Sequence, residues 1–492
     1  MASTSLIAHW NPEDLGFWRT RGSSVAQRNL WISIPALTLA FAVWMVWSVV
    51  VVNLPLVGFR FSTNQLFWLA SLPALCGATL RIFYSFAVPI FGGRRWTAIS
   101  TASLLLPAAG IGMAVQSPGT PYEVFVLLAL LCGFGGGNFA SSMSNISFFF
   151  PKDKKGTALG LNAGLGNLGV SLVQLVVPLV INASLFGDLG GQPQAVTKAG
   201  GSMVLWLQNA GYVWVPFIAI SAVTAWFGMN DLAEAKATFA DQAVIFKRAH
   251  NWWMCWLYLG TFGSFIGYSA GFPLLIKSQF PGVNALQYAW LGPLVGALVR
   301  PVGGWLADKV GGARVTFWNF IAMAIGVIAV LQFLPNGGSG GQGGNFAGFL
   351  ASFLVLFATS GIGNGSTFRM IPVIFLTERT REAKALIEAR ADAAPGRPKQ
   401  VGGPLGGLSQ PAATGGLMEQ AIKDANKEAA AVLGFSSAVG AYGGFFIPKS
   451  YGTSISMTGG PEAALYCFIA FYVTCIAITW WFYSRKNAPM PC

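Results

Sequence analysis

Apolar residues in this chain do not alternate or form short amphipathic stripes; they come in runs of about 20 or more, separated by short polar stretches. Twelve such runs can be marked, at roughly 30–54, 65–90, 96–116, 122–150, 157–185, 211–229, 251–276, 284–307, 314–335, 346–376, 429–450 and 461–484. Each is too long for a barrel strand, and a segment in lipid must satisfy its own backbone polar groups, so each predicts a transmembrane helix. The expected fold is therefore an all-α membrane protein with twelve spans. Polar or charged sequence fills the gaps that matter for organisation: a leading tail at 1–29, a linker at 230–250, an insertion at 377–430 and a tail at 485–492. The leading segment lacks the basic-then-apolar layout of a cleaved signal, so the first span is expected to be retained.

Composition strengthens this reading. Of the 492 residues, 54% are hydrophobic and 10% charged, and the mean hydropathy is +0.57, well outside soluble domains. The net charge of +13 would suggest nucleic acid in a soluble protein, but here the basic residues are scattered through short loops, and no nucleic-acid partner is expected. Their distribution orients the chain instead. With the N-terminus inside, the inner segments hold Arg19, Arg21, Arg28, Arg94, Arg95, Lys152, Lys154, Lys155, Lys236, Lys247, Arg248, Lys309, Arg314, the basic residues of 377–430, Arg485 and Lys486; the outer ones hold only Arg60, Lys198, Lys277 and Lys449. That asymmetry predicts that both termini are cytoplasmic. The six cysteines show no CxxC and no neighbouring His, so they read as packing residues, with no metal or other cofactor expected.

Three basic residues remain within spans: Arg81, Arg300 and Arg369. An arginine near a bilayer centre costs about 2.5–3.5 kcal/mol on insertion scales, so something must compensate it. The chain also repeats itself. GATLRIFYSFAVPIFGGRR (Gly77–Arg95) aligns with GALVRPVGGWLADKVGGAR (Gly296–Arg314) at an offset of 219, matching Arg81 to Arg300. GGGN at Gly135–Asn138 matches GIGN at Gly361–Asn364 at an offset of 226; Gly160, Gly166 and Gly169 match Gly434, Gly440 and Gly443 at 274. Two parallel six-helix halves, 30–229 and 251–484, emerge from these matches. That arrangement resembles major facilitator transporters, which rock about a site between their halves.

GGWLADKVGGAR, Gly303 to Arg314, resembles the cytoplasmic loop pattern of that superfamily, with Asp308 expected to latch helix ends; its first-half equivalent, FGGRRW, lacks the acid. GLGNLG, Gly164 to Gly169, matches a dinucleotide fingerprint but lies inside an apolar span with no preceding strand, so that function is rejected. Its glycines, with Gly160, are expected to flatten the helix for close packing. For Asn138, Ser141 and Asn145, on one helical face, interhelical hydrogen bonding is expected.

Gly135–Ser171 (GGGNFASSMSNISFFFPKDKKGTALGLNAGLGNLGVS) and Gly361–Phe375 (GIGNGSTFRMIPVIF) carry a more specific signal. They resemble the paired signatures of the bacterial nitrate/nitrite porter family, and the resemblance extends over nearly the whole chain. It implies that Arg81 and Arg300, one from each half, bind the anion at the membrane centre. It also implies contacts from Phe139 in NFASS, Asn167 in GLGNLG, and Tyr258 and Phe262 in LYLGTFGSF. Three positions depart from the pattern: Ala163 replaces a glycine, Arg369 replaces a neutral residue, and 377–430 is long. Arg369, two turns from the cytoplasmic loop, is expected to snorkel.

The residues themselves point the same way. By this reading no Asp, Glu or His lies in the central part of any span, leaving Arg81 and Arg300 without an acidic partner. A mobile monovalent anion is the natural one. A guanidinium donates in a plane, which suits nitrate and nitrite better than a spherical ion. An empty site with two cations resists closure, so obligate nitrate/nitrite antiport is expected over proton-coupled nitrate symport, which usually needs a titratable carboxylate or His. A transporter-like anion sensor using the long insertion is the alternative from another class; an enzyme lacks every expected feature. The expected setting is the bacterial inner membrane, with nitrate, nitrite and the bilayer as partners and the monomer as the working unit.

Overall fold

The computed structural model describes residues 6–198, 201–233, 244–335, 343–392 and 411–492. In the first half, α1 runs Ser23–Met45 and on through Trp47–Asn53, α2 is Thr63–Tyr84, and α3 comprises Gly93–Ala102 and Leu105–Ala114. It continues with α4 at Tyr122–Phe149, α5 at Lys152–Val180 and α6 at Asn209–Tyr212 with Trp214–Gly228. In the second half, α7 runs Ala249–Tyr258, passes through a π turn at Leu259–Gly263 and resumes at Ser264–Gln279. Then come α8 at Leu291–Val310, α9 at Gly312–Phe333, α10 at Phe346–Asp392, α11 at Pro411–Ala441 with Gly443–Thr458, and α12 at Glu462–Thr479.

Among the described residues, eleven helical stretches are long and apolar enough to cross a bilayer. The exception is α8. Its 20 residues suffice in length, but Arg300, Asp308, Pro293 and Pro301 lower its hydropathy. The least apolar span thus carries one of the two candidate anion-binding arginines.

Small residues at repeat-matched positions let the helices meet in both halves. A Cβ on Gly77 of α2 would stand 3.0 Å from Gly136 Cα of α4. One on Gly361 of α10 would run into the Gly296 carbonyl of α8. Close backbone approach of this kind is the usual basis of helix association in lipid. The loops repeat as well. Gly92 and Gly311, 219 residues apart, both take positive φ, 85° and 101°, to turn the chain into α3 and α9.

The loop between α2 and α3 does obtain an acid, from a place the sequence did not suggest. Asp231 in the linker accepts from Arg94 N–H at 2.8 Å and from Arg94 Nε at 3.2 Å. Its carboxylate lies so close to Gly92 that a side chain there would collide with it. The linker is itself held by the leading tail: β1, Leu6–Ile7, pairs in parallel with β4, Asp231–Leu232. In the equivalent loop of the second half, Asp308 accepts from Arg369 Nε at 2.8 Å, both side chains being 52% exposed. Arg369 therefore reaches the surface, where it pairs with the loop acid.

Three other expectations meet local differences. A hairpin of β2, Gln194–Lys198, and β3, Gly201–Leu205, occupies the connection before α6, where no strand was anticipated. Lys449, counted with the outer loops, lies within α11. The charged ends of the 377–430 insertion are helical and continue α10 and α11, while its centre, 393–410, lies outside the described residues. Those ends carry an ion network. Arg248, just before α7, meets Glu378 at 3.4 Å, Glu428 at 3.5 Å and Glu382, and Arg379 meets Glu382 at 3.0 Å and Glu428. These carboxylates hold the Arg248 guanidinium above its ordinary pKa, Glu382 first through its hydrogen bond.

Candidate functional site

Arg81 lies near the C-terminal end of α2, on the face where α2 meets α4, and is fully buried, with 0% exposure. Its Nε donates to the Gly136 carbonyl of α4 at 2.7 Å and its Nη1 to the Ser437 carbonyl of α11 at 2.9 Å. The second bond crosses from one half to the other. Gly136 matters here because only a bare backbone lets α4 come close enough to offer its carbonyl. Nη2 is buried without a hydrogen-bond partner.

Aromatic faces surround that guanidinium. Its Cζ lies 4.7 Å from the centroid of Phe139, 5.1 Å from Phe262 and 5.1 Å from Trp44. Phe139 and Phe262, from opposite halves, are nearly parallel, with centroids 6.3 Å apart and 26° between planes. Tyr258 stacks on Phe262 at 5.5 Å. Such faces stabilise a cation by their quadrupoles while excluding water.

Arg300, on α8, is 8% exposed and its Cζ sits 5.5 Å from the ring of Phe368 on α10. Each arginine thus leans on an aromatic ring from the helix its own helix packs against. Arg300 Nη1 and Tyr258 Oη both lack a hydrogen-bond partner of good geometry. Arg81, Arg300 and Tyr258 nonetheless lie within electrostatic range of one another. Among the described residues neither arginine is paired with a carboxylate.

Of the six residues predicted from sequence, the structure therefore brings Arg81, Phe139, Tyr258, Phe262 and Arg300 together. Asn167 is fully buried on α5, and neither of its amide atoms has a partner. It is not joined to the cluster by any hydrogen bond or ring contact among the described residues. Asn138 donates to the Ser100 carbonyl of α3 at 3.4 Å, in keeping with an interhelical role, but Ser141 donates within its own helix to the Asn138 carbonyl at 3.2 Å and the Asn145 Nδ2 is buried without a partner.

Sequence reasoning missed Trp44, Phe368 and the carbonyls of Gly136 and Ser437. Nothing in the sequence marks a carbonyl as a ligand, and an aromatic residue in an apolar run looks like packing. It also missed the π turn that carries Phe262 directly after Tyr258. Such turns recur at functional sites.

The glycines of α5 and α11 do two jobs rather than one. Gly166 and Gly169 pack on Leu37, Thr38 and Phe41 of α1, and their repeat partners Gly440 and Gly443 pack on Tyr258, Phe262 and Gly263 of α7. Gly160 and Gly164, expected to pack in the same way, face open space instead, as does Gly156; Gly434, the partner of Gly160, has only Ser85 Oγ at 3.8 Å. The two halves meet toward the opposite ends of these helices. There Ser171 Oγ donates to the Trp290 carbonyl at 2.9 Å, Gln174 Nε2 to the Ser269 carbonyl at 2.7 Å, and Lys449 Nζ to Asn64 Oδ1 at 3.2 Å. Hydrogen bonds thus join the halves toward those ends, while the glycines near the start of α5 face open space.

The Major Facilitator Superfamily model matches residues 36–385. The nitrate/nitrite transporter NarU of Escherichia coli (strain K12) is 51% identical over 485 residues, covering 99% of this chain and 97% of the relative. The chain belongs to the Major Facilitator Superfamily, in its nitrate/nitrite porter branch. A second member of the branch, the probable nitrate/nitrite antiporter NarK2 of Thermus thermophilus, is 41% identical over 496 residues, covering 100% and 99% of the two chains. Among solved structures, the inward open xylose transporter XylE from E. coli superposes with a TM-score of 0.59 at 13% identity, covering 92% of this chain and 95% of that one. That likeness carries the superfamily fold alone. Membership of the porter branch rests on the sequence relatives.

Proposed function

We propose that this porter carries nitrate and nitrite across the bacterial inner membrane by antiport, as a monomer whose halves, 30–229 and 251–484, rock about one anion site. The observation that carries the reading is the pair of buried guanidinium groups, one from each half, each with an unpartnered nitrogen and neither with a carboxylate among the described residues. Arg81 and Arg300 hold the anion, Phe139, Tyr258 and Phe262 shape and dry the site, and Asn167 supplies an amide from α5. The identity of the two relatives over their full lengths, and their printed substrates, support nitrate and nitrite as the cargo.

A monovalent anion between two fixed cations neutralises one of them and leaves the site positive. An empty site holds two like charges that desolvation and repulsion both penalise on closure. Loaded halves close readily and empty ones do not, so inward movement of one anion requires outward movement of another. The basic residues of the inner loops orient the start of α5, with Gly156 and Gly160, toward the cytoplasm, and both termini with it.

Counterflow tests this directly. Purified protein in liposomes loaded with unlabelled nitrite should accumulate labelled nitrate from outside, and unlabelled nitrate inside should do the same. Liposomes that bind nitrate without moving it would point to a sensor instead.

A further inference from the structure

The π turn at Leu259–Gly263 changes the wiring of α7 next to the anion site. One residue added to a helical turn shifts the phase of the downstream residues by about 100°. Ser264 N–H donates to the Thr261 carbonyl rather than to Gly260 four residues back. The Gly260 carbonyl takes the Ser264 hydroxyl instead, at 2.6 Å. On the α10 side the turn is held by Thr261, whose Oγ1 lies 3.1 Å from Thr367 Oγ1.

On the α12 side a chain of hydroxyls continues from Ser264. Ser264 Oγ is 2.7 Å from Tyr472 Oη, which is 2.6 Å from Tyr268 Oη. All three residues are buried. Each hydroxyl has one proton, and that of Ser264 is committed to Gly260. The proton between Ser264 and Tyr472 must then come from Tyr472, and that between Tyr472 and Tyr268 from Tyr268. The chain runs one way, Tyr268 to Tyr472 to Ser264 to the Gly260 carbonyl, and ends on the turn that bears Phe262. A buried network with every link made is rigid, and losing one link leaves an uncompensated polar group.

We propose that Tyr472 is a positioning residue for anion binding: by donating to Ser264 it holds the π turn of α7 against α12, and so fixes Phe262 and Tyr258 beside Arg81. The proposal rests on the transport reading, but its cause lies in the C-terminal half alone. Nothing in it requires Tyr472 to touch the anion.

The same core supplies a matched control. Tyr451 is equally buried, its ring 5.6 Å from Phe468, yet its hydroxyl has no hydrogen-bond partner. Tyr451→Phe and Tyr472→Phe each remove one phenol oxygen from one core, but only the second cuts the chain.

The test measures nitrate/nitrite exchange in proteoliposomes over a range of nitrate concentrations, with amide hydrogen exchange of 259–263 on the same purified proteins. Tyr472→Phe should raise the half-saturating nitrate concentration about three- to tenfold, the range expected for one lost buried hydrogen bond, with a smaller change in maximal rate. It should also speed amide exchange in the turn. Tyr451→Phe should stay within about twofold of the wild type in half-saturation and leave the turn protected. If Tyr472→Phe does not fold, Ser264→Ala cuts the chain at its other end without touching ring packing and should give the same shift. An unshifted half-saturation in a folded chain-cutting variant, or an equal shift in Tyr451→Phe, would overturn the proposal. Wild-type protein without nitrate exchange would sink the transport reading instead; the hydrogen exchange of the turn would then decide the positioning claim by itself.

Discussion

Arg81→Lys should reduce nitrate/nitrite exchange by at least about 100-fold, although the charge is kept. The guanidinium makes two charge-assisted bonds to carbonyls, at 2.7 Å to Gly136 and 2.9 Å to Ser437, and retains a third nitrogen. Such bonds are worth about 1.5–3 kcal/mol each, and every 1.4 kcal/mol is about a factor of ten. Lysine is a compact point charge with no planar fork, so it cannot serve α4, α11 and an anion from one position. Because one of the two bonds crosses between halves, the loss should appear in maximal rate as well as half-saturation. Arg300→Lys should also lose exchange, through half-saturation above all, since its described contacts are the Phe368 ring and the electrostatic neighbours Tyr258 and Arg81. Exchange kinetics in proteoliposomes read both effects; melting temperatures near wild type show that the variants are folded.

Removing the anion from the far side should have the second largest effect. With nitrate outside and neither nitrate nor nitrite inside, uptake should fall at least about tenfold below exchange, because the return step must bring two unneutralised cations into a dry site. Like charges repel more strongly as water is excluded from around them, and the desolvation of two guanidinium groups adds to that cost, so both slow the return of the empty carrier. An imposed proton gradient should not restore the flux. Measured net uptake that tracks the proton gradient would replace antiport with symport and require a titratable group in the path.

Much of this was legible in the sequence. Twenty-residue apolar runs announce helices because lipid leaves no other way to satisfy a backbone, and the repeat at offset 219 pairs Arg81 with Arg300 from the sequence alone. The repeat also matched GGGN to GIGN, although which helices those glycines bring together was not readable from it. Other features were hidden for physical reasons. Asp231 reaches the α2–α3 loop from a linker held by β1 and by Arg28 and Asn29 through Asn230, contacts about 200 positions apart that no local pattern encodes. Gly160 and Gly166 look alike in sequence, yet one faces open space and the other Leu37, since helical phase relative to neighbours decides which face is covered. The π turn depends on which hydrogen bonds α7 can make to α10 and α12, a tertiary matter. Arg369 was placed by distance from the loop alone, but its partner Asp308 lies 61 residues earlier.

In the proposed mechanism two guanidinium groups share a single anion, and a nitrate titration of the purified protein in detergent tests that most directly. Wild-type protein should bind one nitrate per chain, nitrite should compete for the same site, and Arg81→Lys and Arg300→Lys should each abolish or strongly weaken the binding. Undiminished binding in both folded variants, or two independent nitrates per chain lost one at a time, would contradict it.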